Sequence, residues 1–533
     1  MSKPNRIIYL ALFSFITTTL YAENNKNLNN LMISKDVKHD ISLPLRDMAA
    51  KANKIKPHYK KSIGRQILEN ISITSKNSAH PFVPVNGFEG IGKGLPNYEI
   101  EASQPDLNLA VGENYILQYA NPDIAVFNRS SGIIPEFPTP ASSFWKGFGG
   151  DCEQYATGRP SLKYDELSNR WVVSQLASQD QVNGPFFNCV AISTSSDVTG
   201  TYFRYAFQLN GYSNFLRIAV WPNAYYLGLN TSINGTYGST ICALERDQML
   251  AGHTASMVCK QFTQTQFLTP ATLLGNALVP PDGTPGYFIG LNPPNNLVFY
   301  KFYVDFANQP NTDVFAIQIP VDTYQPACQD YNGVFCAIQP ETTNKLNLVS
   351  NRILPSIGYR QFLGYGSIVI VHSVDGPQQP SDDPVPLVAP ALRWYELRVN
   401  DSEQTRNPVI YQQATLAPDT KNRFGGSISI DSAGNIGLAY TVSSTRVYPS
   451  SELAWRTAID PLNTMRIQAI LTGTGSQIDD VSDWTPGTKL LHDPFNICSM
   501  FFTSEYLKEN GSFNWNTKLI NFILPCPVVP LKK

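Results

Sequence analysis

Four carboxylates of this 533-residue chain stand within or beside short predicted strands, where acid–base chemistry could use them: Asp106, Asp165, Glu396 and Glu505. Glycoside hydrolysis needs two carboxyl groups held about 5–9.5 Å apart. Asp165 also fits the opening of a hairpin turn, and Glu396 fits the interior of an alternating strand, so both have a structural explanation. An extracellular carbohydrate-active hydrolase, with a pair such as Asp106 and Asp165 brought together by folding, is therefore the alternative function.

Other kinds of reactive centre have little support. His253, His372 and His492 lie in the body of the chain, but no G-x-S-x-G turn of a serine hydrolase accompanies them. His372, within the run IVIVHSV, is predicted to be a hydrogen-bonded strand residue. No cysteine belongs to a C-x-x-C pair or has a histidine at zinc-ligand spacing. The sequence predicts no catalytic set, no metal site and no cofactor.

The eight cysteines have a defined chemistry of their own. Their number is even and the chain begins with an export signal, so disulfide bonds are expected. Eight cysteines allow 105 pairings, and the spacings within sequential pairs, 37, 17, 8 and 28 residues, favour neighbours. The predicted bonds are Cys152–Cys189, Cys242–Cys259, Cys328–Cys336 and Cys498–Cys526.

Residues 1–22 have the three parts of a secretory signal peptide. Lys3 and Arg6 form a short positive region, the 14 residues from 7 to 20 are mostly apolar, and Ala22 is a small residue at the cleavage site. Such a stretch spans about 21 Å as a helix, less than the roughly 30 Å of a membrane interior. The sequence therefore predicts export to the medium, the periplasm or the cell surface, with no transmembrane segment after cleavage.

The remaining chain consists of a basic segment followed by a longer acidic part. Residues 23–80 contain 11 Lys and Arg against 5 Asp and Glu, a net charge of +6. They are predicted to be a flexible basic segment with one short helix near Leu43–Ala52. Residues 81–533 contain 27 basic and 37 acidic residues, a net charge of −10. This acidic body has no basic patch with interleaved aromatics, so nucleic acid is not a predicted partner.

From residue 81 onward, short β-branched and aromatic runs alternate with turn residues, as in antiparallel sheets. Examples are Asn114–Ala120, Trp171–Leu176, Tyr202–Phe207, Val298–Val304, Leu392–Val399, Ile436–Thr441 and Leu519–Leu524. About 445 residues of such strands exceed one sandwich, whereas radially repeated sheets accommodate them. We predict an all-β protein whose residues 81–533 form a β-propeller of four-stranded antiparallel blades. At roughly 45–65 residues per blade, seven blades are expected, with six or eight as alternatives.

The predicted propeller contains a series of ordered motifs. They are GFEGIGKG at 87–94, PDLNLAVG at 105–112, DVTGTYFRYAF at 197–207, DQMLAG at 247–252, RWYELR at 393–398, GGSISIDSAGNIGLAYTVS at 425–443 and the stretch 496–522. Together they resemble the motifs of a largely uncharacterised family of secreted bacterial β-propeller-like proteins, over roughly residues 81–528. The resemblance implies a propeller fold and the same neighbour pairing of cysteines. It implies no established enzymatic activity.

The chain departs from that family's pattern where acidic residues are typical. D-G-D-P is replaced by TGRP, which contains Arg159; V-W-P-D ends in Asn223; and F-G-D-H-E is replaced by FLGYG, which contains Tyr365. Asp106 and Asn108 are retained. Hard cations and general acids need carboxylates, so a cation site of the relatives would be largely lost here. These five residues are the candidate ligand-binding residues, with the capping of strand ends as their alternative role.

Loop aromatics extend the candidate site. Phe144, Trp145 and Phe148 are clustered, as are Phe186 and Phe187. On a propeller rim such rings stack on sugars or contact a partner protein, and they equally fill the channel or the space between blades. The sequence favours a secreted or surface-exposed propeller that binds an unknown protein or glycan.

Overall fold

The computed structural model describes residues 31–53 and 83–526, with gaps at 97, 157–158, 234, 264, 329–334, 355–356, 379–387, 401–406, 480, 483 and 485–487. The predicted signal peptide, residues 1–22, lies outside the described residues. None of the described helices is both long and apolar enough to cross a membrane. The first elements are β1 (Leu31–Lys35), β2 (Lys38–Ile41), α1 (Leu45–Asn53) and β3 (Val83–Glu89).

Antiparallel sheets then follow one another along the chain. The first contains β4 (Asn108–Val111), β5 (Tyr115–Ala120), β6 (Asp123–Asn128) and β7 (Gly132–Ile133), with β8 (Thr139–Pro140) beside β6. A 3-10 turn, Ala141–Trp145, and α2 (Gly150–Tyr155) lead to the second sheet, β9 (Ser161–Asp165), β10 (Arg170–Ser178), β11 (Phe186–Ser193) and β12 (Tyr202–Leu209). The third contains β13 (Tyr212–Val220), β14 (Tyr225–Ile233), β15 (Thr236–Leu244), α3 (Arg246–Ala251) as a connection, and β16 (Ser256–Phe262).

The second half of the chain continues this pattern. The fourth sheet contains β17 (Thr269–Leu273), β18 (Gly286–Asn292), β19 (Asn296–Tyr303), a 3-10 turn at Gln309–Asn311, and β20 (Asp313–Pro320). A separate pair, β21 (Phe335–Ala337) and β22 (Leu346–Asn347), precedes the fifth sheet, β23 (Ile357–Phe362), β24 (Tyr365–Gln378), β25 (Val388–Val399) and β26 (Val409–Leu416). The sixth contains β27 (Asn422–Ile430), β28 (Ile436–Ser443), β29 (Ser450–Arg456) and β30 (Arg466–Leu471). The seventh contains β31 (Thr488–His492), β32 (Ser499–Tyr506), β33 (Asn516–Ile523) and β3.

The first strands of these sheets contact one another in a cycle that runs β4, β9, β13, β17, β23, β27, β31 and back to β4. β17 and β23 also pair in parallel, which joins the fourth and fifth sheets. β3 pairs with β33, placing Phe88 opposite Leu519, so both ends of the described body share one sheet. Radial repetition of this kind leaves few long free edges. The predicted all-β class is confirmed.

Residues 31–41 differ from the flexible segment predicted for 23–80. β1 pairs with β16 and β2 pairs with β12, each as an additional outer strand. The pairing follows from the unsatisfied backbone groups that an edge strand presents. Side chains reinforce it, since Arg204 bonds both carboxylate oxygens of Asp40 at 2.8 and 2.6 Å. The helix predicted near Leu43–Ala52 is observed as α1.

Buried aromatic side chains fill the space between the sheets. Trp221, after β13, contacts the rings of Tyr287 and Tyr359 at 5.5 and 4.8 Å between centroids. Phe144, Trp145 and Phe148 are also buried, and the Trp145 indole donates to Gln175 at 2.8 Å. Of the two roles that the sequence leaves open for this cluster, the structure supports packing in the interior.

The four disulfide bonds predicted from the sequence are all confirmed. Cys242–Cys259 links the paired strands β15 and β16, and Cys152–Cys189 ties α2 to β11. Cys328–Cys336 joins a residue of β21 to the cysteine eight positions earlier, and Cys498–Cys526 ties the residue just before β32 to the chain beyond β33. Each bond is local, so each restricts one sheet or its immediate surroundings.

Candidate functional site

A cavity of about 1030 Å³ lies where several of the first strands begin. Its walls come from residues just before β4, β9, β17 and β23 and from residues within β13 and β31. Because these strands follow one another around the cycle, their starting positions bring together side chains that are far apart in the sequence. A cavity of this size is typical of sites for small or oligomeric ligands.

Three residues of the cavity wall have a strained backbone. Asp106, Phe215 and Phe267 have φ angles of 44°, 52° and 58°. This left-handed region costs a non-glycine residue about 1–3 kcal/mol and is often found at functional sites. Phe215 owes its position to a bulge, since the register between β13 and β14 shifts between Asn214 and Arg217. Such bulges re-aim side chains beside binding sites.

The described residues that line the cavity include four cationic side chains and one carboxylate: Arg159, Arg217, Arg352, Lys489 and Asp106. The formal charge of the lining is therefore 4 − 1 = +3. Asp106 is bound to Arg159, with 2.5 Å between Oδ2 and Nε. Burial raises the pKa of Asp106, and Arg159, Arg217 and Lys489 act in the opposite direction. The single carboxylate cannot neutralise the cations that surround it.

A small recess adjoins this cavity and shares two of its cations. It is lined by Lys163 of β9 together with Arg217 and Lys489. Burial, with a smaller contribution from Arg217, lowers the pKa of Lys163 to about 8. Burial, Arg217 and Lys163 lower the pKa of Lys489 well below its usual value. Both shifts mean that the surroundings of these amines destabilise their protonated forms.

Arg352 is held against two aromatic rings of the wall. Its guanidinium carbon lies 3.8 Å from the ring centroids of both Phe215 and Phe267. Nε donates to the side chain of Asn351 at 2.9 Å, whereas the buried Nη1 has no hydrogen-bond partner among the described residues. Burial, followed by Arg217 and Arg159, lowers the pKa of Arg352 to about 9. At neutral pH this group is a fixed cation with unused donor capacity.

Aromatic and amide groups complete the wall. Phe186 and Phe187 line the cavity from β11, and the ring of Phe186 contacts Tyr212 edge-on at 6.2 Å. Asn214 and Gln266 provide amides. Aromatic faces offer stacking surfaces, and amides both donate and accept hydrogen bonds. Such a wall suits a ligand that has flat faces and many polar groups.

The structure brings together three of the five predicted ligand-binding residues. Asp106, Asn108 and Arg159 all line the cavity, and the Asn108 amide also donates to the Pro160 carbonyl at 3.0 Å. Asn223 is placed elsewhere, where it accepts from Tyr226 at 3.4 Å. Tyr365 is also outside the cavity lining, and its ring stacks on Phe362 and lies 3.9 Å from the Arg398 guanidinium. The ligand-binding roles of all five stay predictions.

Of the other three candidate acid–base residues, Glu505 is buried on β32 outside the cavity lining, and Asp165 and Glu396 are hydrogen-bonded in the interior. Asp165 is fully buried and accepts from Tyr225 at 2.7 Å and from Arg246 at 2.9 Å. It does not line the cavity, so the structure does not place it beside Asp106 there. Glu396, on β25, accepts from Ser367 at 2.8 Å and from Arg398 at 2.7 Å. These bonds explain both carboxylates as structural groups.

His372 has the structural role predicted from the sequence. Its Nδ1 donates to the Ser373 carbonyl at 3.3 Å, and its Nε2 accepts from the Tyr395 hydroxyl at 3.0 Å. Burial lowers its pKa to about 3, so it is neutral at physiological pH. No group of three His, Cys, Asp or Glu suited to a metal ion occurs in the part of the chain that the structure describes.

Sequence reasoning misses most of the cations of the cavity. Arg217 and Lys489 lie inside strands, where an isolated charge is usually on a solvated face, and Arg352 lies in the connection before β23. One signal was available for Arg159, because it stands just before a predicted strand in place of an acid. The others are brought together only by the cycle of first strands.

Comparison with known proteins gives distant likenesses only. No protein-family model and no curated protein matches the chain. A solved ulvan lyase of family PL25, bound to -[GlcA(1-4)Rha3S]-, has 12% identity and a TM-score of 0.35, over 81% of this chain and 97% of that one. An α-L-arabinofuranosidase from Fusarium graminearum has 11% identity and a TM-score of 0.31, over 68% and 92%. A subtype N11 neuraminidase-like protein from a flat-faced bat influenza virus has 12% identity and a TM-score of 0.29, over 76% and 100%. The chemistry of the site therefore rests on its own residues.

Proposed function

We propose that the chain is an exported β-propeller of seven blades that binds a glycan in the cavity at the start of its first strands. Seven groups of four or more antiparallel strands within the described residues support the blade number, although the parallel β17–β23 pair joins two of these groups into one sheet. The cycle of contacts between the first strands of the seven groups also supports it. The four disulfides support an oxidising compartment outside the cytoplasm. An experimental structure of the purified protein tests the blade number, and detection of the cleaved chain outside the cytoplasm tests export.

One observation carries the binding proposal: the strained aromatic residues on the cavity wall. Phe215 is 38% exposed although it is a large apolar residue, and it is held there by a bulge and a positive φ. A fold does not need this geometry for packing, because burial of the ring would be more favourable by about 1.5–3 kcal/mol. A sugar ring that stacks on Phe215 would recover that free energy.

A binding screen on the oxidised chain tests this function. The wild-type protein is expected to bind one class of immobilised glycan, and Phe215→Ala is expected to weaken that binding by about tenfold or more, as loss of a buried aromatic contact implies. Phe513→Ala is the matched control, because Phe513 is 53% exposed and does not line the cavity. If the Phe215→Ala variant binds the glycan as tightly as wild type, the cavity is not the binding site.

The hydrolase alternative needs a second carboxylate close to Asp106. The only carboxylate among the described residues of the cavity wall is Asp106 itself, and it is bound to Arg159. We therefore propose binding rather than hydrolysis as the function of this cavity.

A further inference from the structure

We propose that the glycan is acidic, and that its carboxylate or sulfate groups are bound by Arg352 on the cavity wall and by Arg217 and Lys489, which the cavity shares with the small recess. This inference rests on the proposed function and names the chemical class of its ligand.

The charge of the cavity is opposite to that of the chain around it. Residues 81–533 have a formal net charge of −10, whereas the described lining of the cavity has a formal charge of +3. Cations distributed at random over an acidic body would not collect in one concave site. A cleft lined by one sign of charge concentrates ligands of the opposite sign.

The Arg352 guanidinium is held in a position suited to binding an anionic group. Its contacts with Phe215 and Phe267 fix the plane of the guanidinium, so little side-chain freedom remains to be lost on binding. Its Nη1 is buried without a hydrogen-bond partner among the described residues, and a buried donor in that state is costly. A carboxylate or sulfate oxygen that meets the guanidinium where Arg352 lines the cavity would form a charge-assisted hydrogen bond with it.

The recess beside the cavity is lined by three cations and by no carboxylate among the described residues. Lys489 is only 6% exposed, and Arg217 and Lys163 line the recess with it. Asp106, the carboxylate of the adjoining cavity wall, forms an ion pair with Arg159 at 2.5 Å. Burial of like charges without compensation is unfavourable, and an anionic ligand would supply the missing charge.

The wall favours a glycan over an acidic peptide as the source of these anionic groups. Peptides are usually recognised through a free sheet edge or an apolar groove. Here aromatic rings alternate with side-chain amides along the cavity wall, as at Phe215, Phe267, Asn214 and Gln266. Ring faces and amides match the flat apolar faces and the hydroxyl groups of sugars.

The test measures binding of four polymers to the oxidised chain at pH 6.5 and low salt. Polygalacturonate oligomers carry carboxylates, heparin carries sulfates as well, dextran is neutral, and poly-L-glutamate is an acidic peptide. We expect wild type to bind at least one of the two acidic glycans more tightly than dextran or poly-L-glutamate. Arg352→Gln and Lys489→Met should each weaken it by about tenfold or more, since each removes a charge-assisted contact.

Arg466→Gln is the matched control, because Arg466 also lies over an aromatic ring, that of Trp455, but does not line the cavity. It should leave the affinity unchanged. Thermal unfolding of every variant distinguishes loss of binding from loss of folding. If Arg352→Gln does not fold, Lys489→Met still tests the proposal.

The other outcomes each overturn a defined part of the account. Binding of dextran alone, weakened by Phe215→Ala, would overturn the acidic ligand and leave the proposed function intact. Tighter binding of poly-L-glutamate would overturn the assignment to a glycan. Equal binding by wild type and both cavity variants would place the anion site elsewhere. Absence of binding to any glycan, in this test and in the wider screen, would overturn the proposed function as well.

Discussion

Lys163 and Lys489 occupy an environment that disfavours their protonated forms. Burial is the main cause for both, and the neighbouring cation Arg217 adds to it; at Lys489, Lys163 also contributes and Asp106 acts in the opposite direction. An anionic ligand would reverse this effect, because an opposite charge within a few ångströms favours the charged form of an amine. Ligand binding and protonation of these lysines are therefore expected to be linked.

This linkage predicts that the lysines take up protons when an acidic glycan binds near pH 8, the value to which burial lowers the pKa of Lys163. The affinity should fall as the pH rises through that value, because the lysines are then neutral in the free protein and their protonation on binding costs free energy. Calorimetry in two buffers with different ionisation enthalpies measures the proton uptake. Lys163→Met should reduce the uptake. An affinity that is constant from pH 6.5 to 9.5 with no proton uptake would contradict the linkage.

At the scale of single elements, the added outer strands β1 and β2 are the feature that sequence patterning missed. β1 (LMISK) begins with three consecutive apolar residues and β2 (KHDI) is mostly polar, so neither has the alternating apolar pattern of a half-buried strand, and none of their residues is fully buried. What orders them is the free edge of β16 and β12 and the ion pair between Asp40 and Arg204. Edge pairing depends on a partner strand that is far away in the sequence, and a local pattern cannot reveal it.

The ion pair gives a prediction for the second sheet. Asp40→Asn should lower the free energy of unfolding by about 1–2 kcal/mol, because Arg204 is almost fully buried and would lose its only carboxylate partner among the described residues. The estimate is moderate because Asp40 is 30% exposed and Arg204 also bonds the carbonyls of Phe144 and Lys146. Denaturant unfolding measures the change, with the exposed Asp282→Asn as control. Equal stability of the two variants would show that the pair does not hold β2.

At the scale of the whole molecule, the sequence allows the strands to be predicted but does not allow the site to be predicted. Runs such as Trp171–Leu176 and Tyr202–Phe207 appear within β10 and β12, because short β-branched and aromatic runs need only their neighbours to be recognised. Asp106 and Arg159 could be predicted as candidate ligand-binding residues from their places in the motifs PDLNLAVG and TGRP. Arg352 and Lys489 join them only when the cycle of first strands closes. Their function depends on which sheets become neighbours, and that property belongs to the whole fold.

A crystal structure of the oxidised chain with an oligomer of the acidic glycan that it binds more tightly tests the central claim most directly. We predict that the sugar lies in the cavity, with one carboxylate or sulfate within hydrogen-bond distance of the Arg352 guanidinium and a ring face against Phe215. A ligand bound on the outer surface of the sheets, with the cavity unchanged, would contradict it.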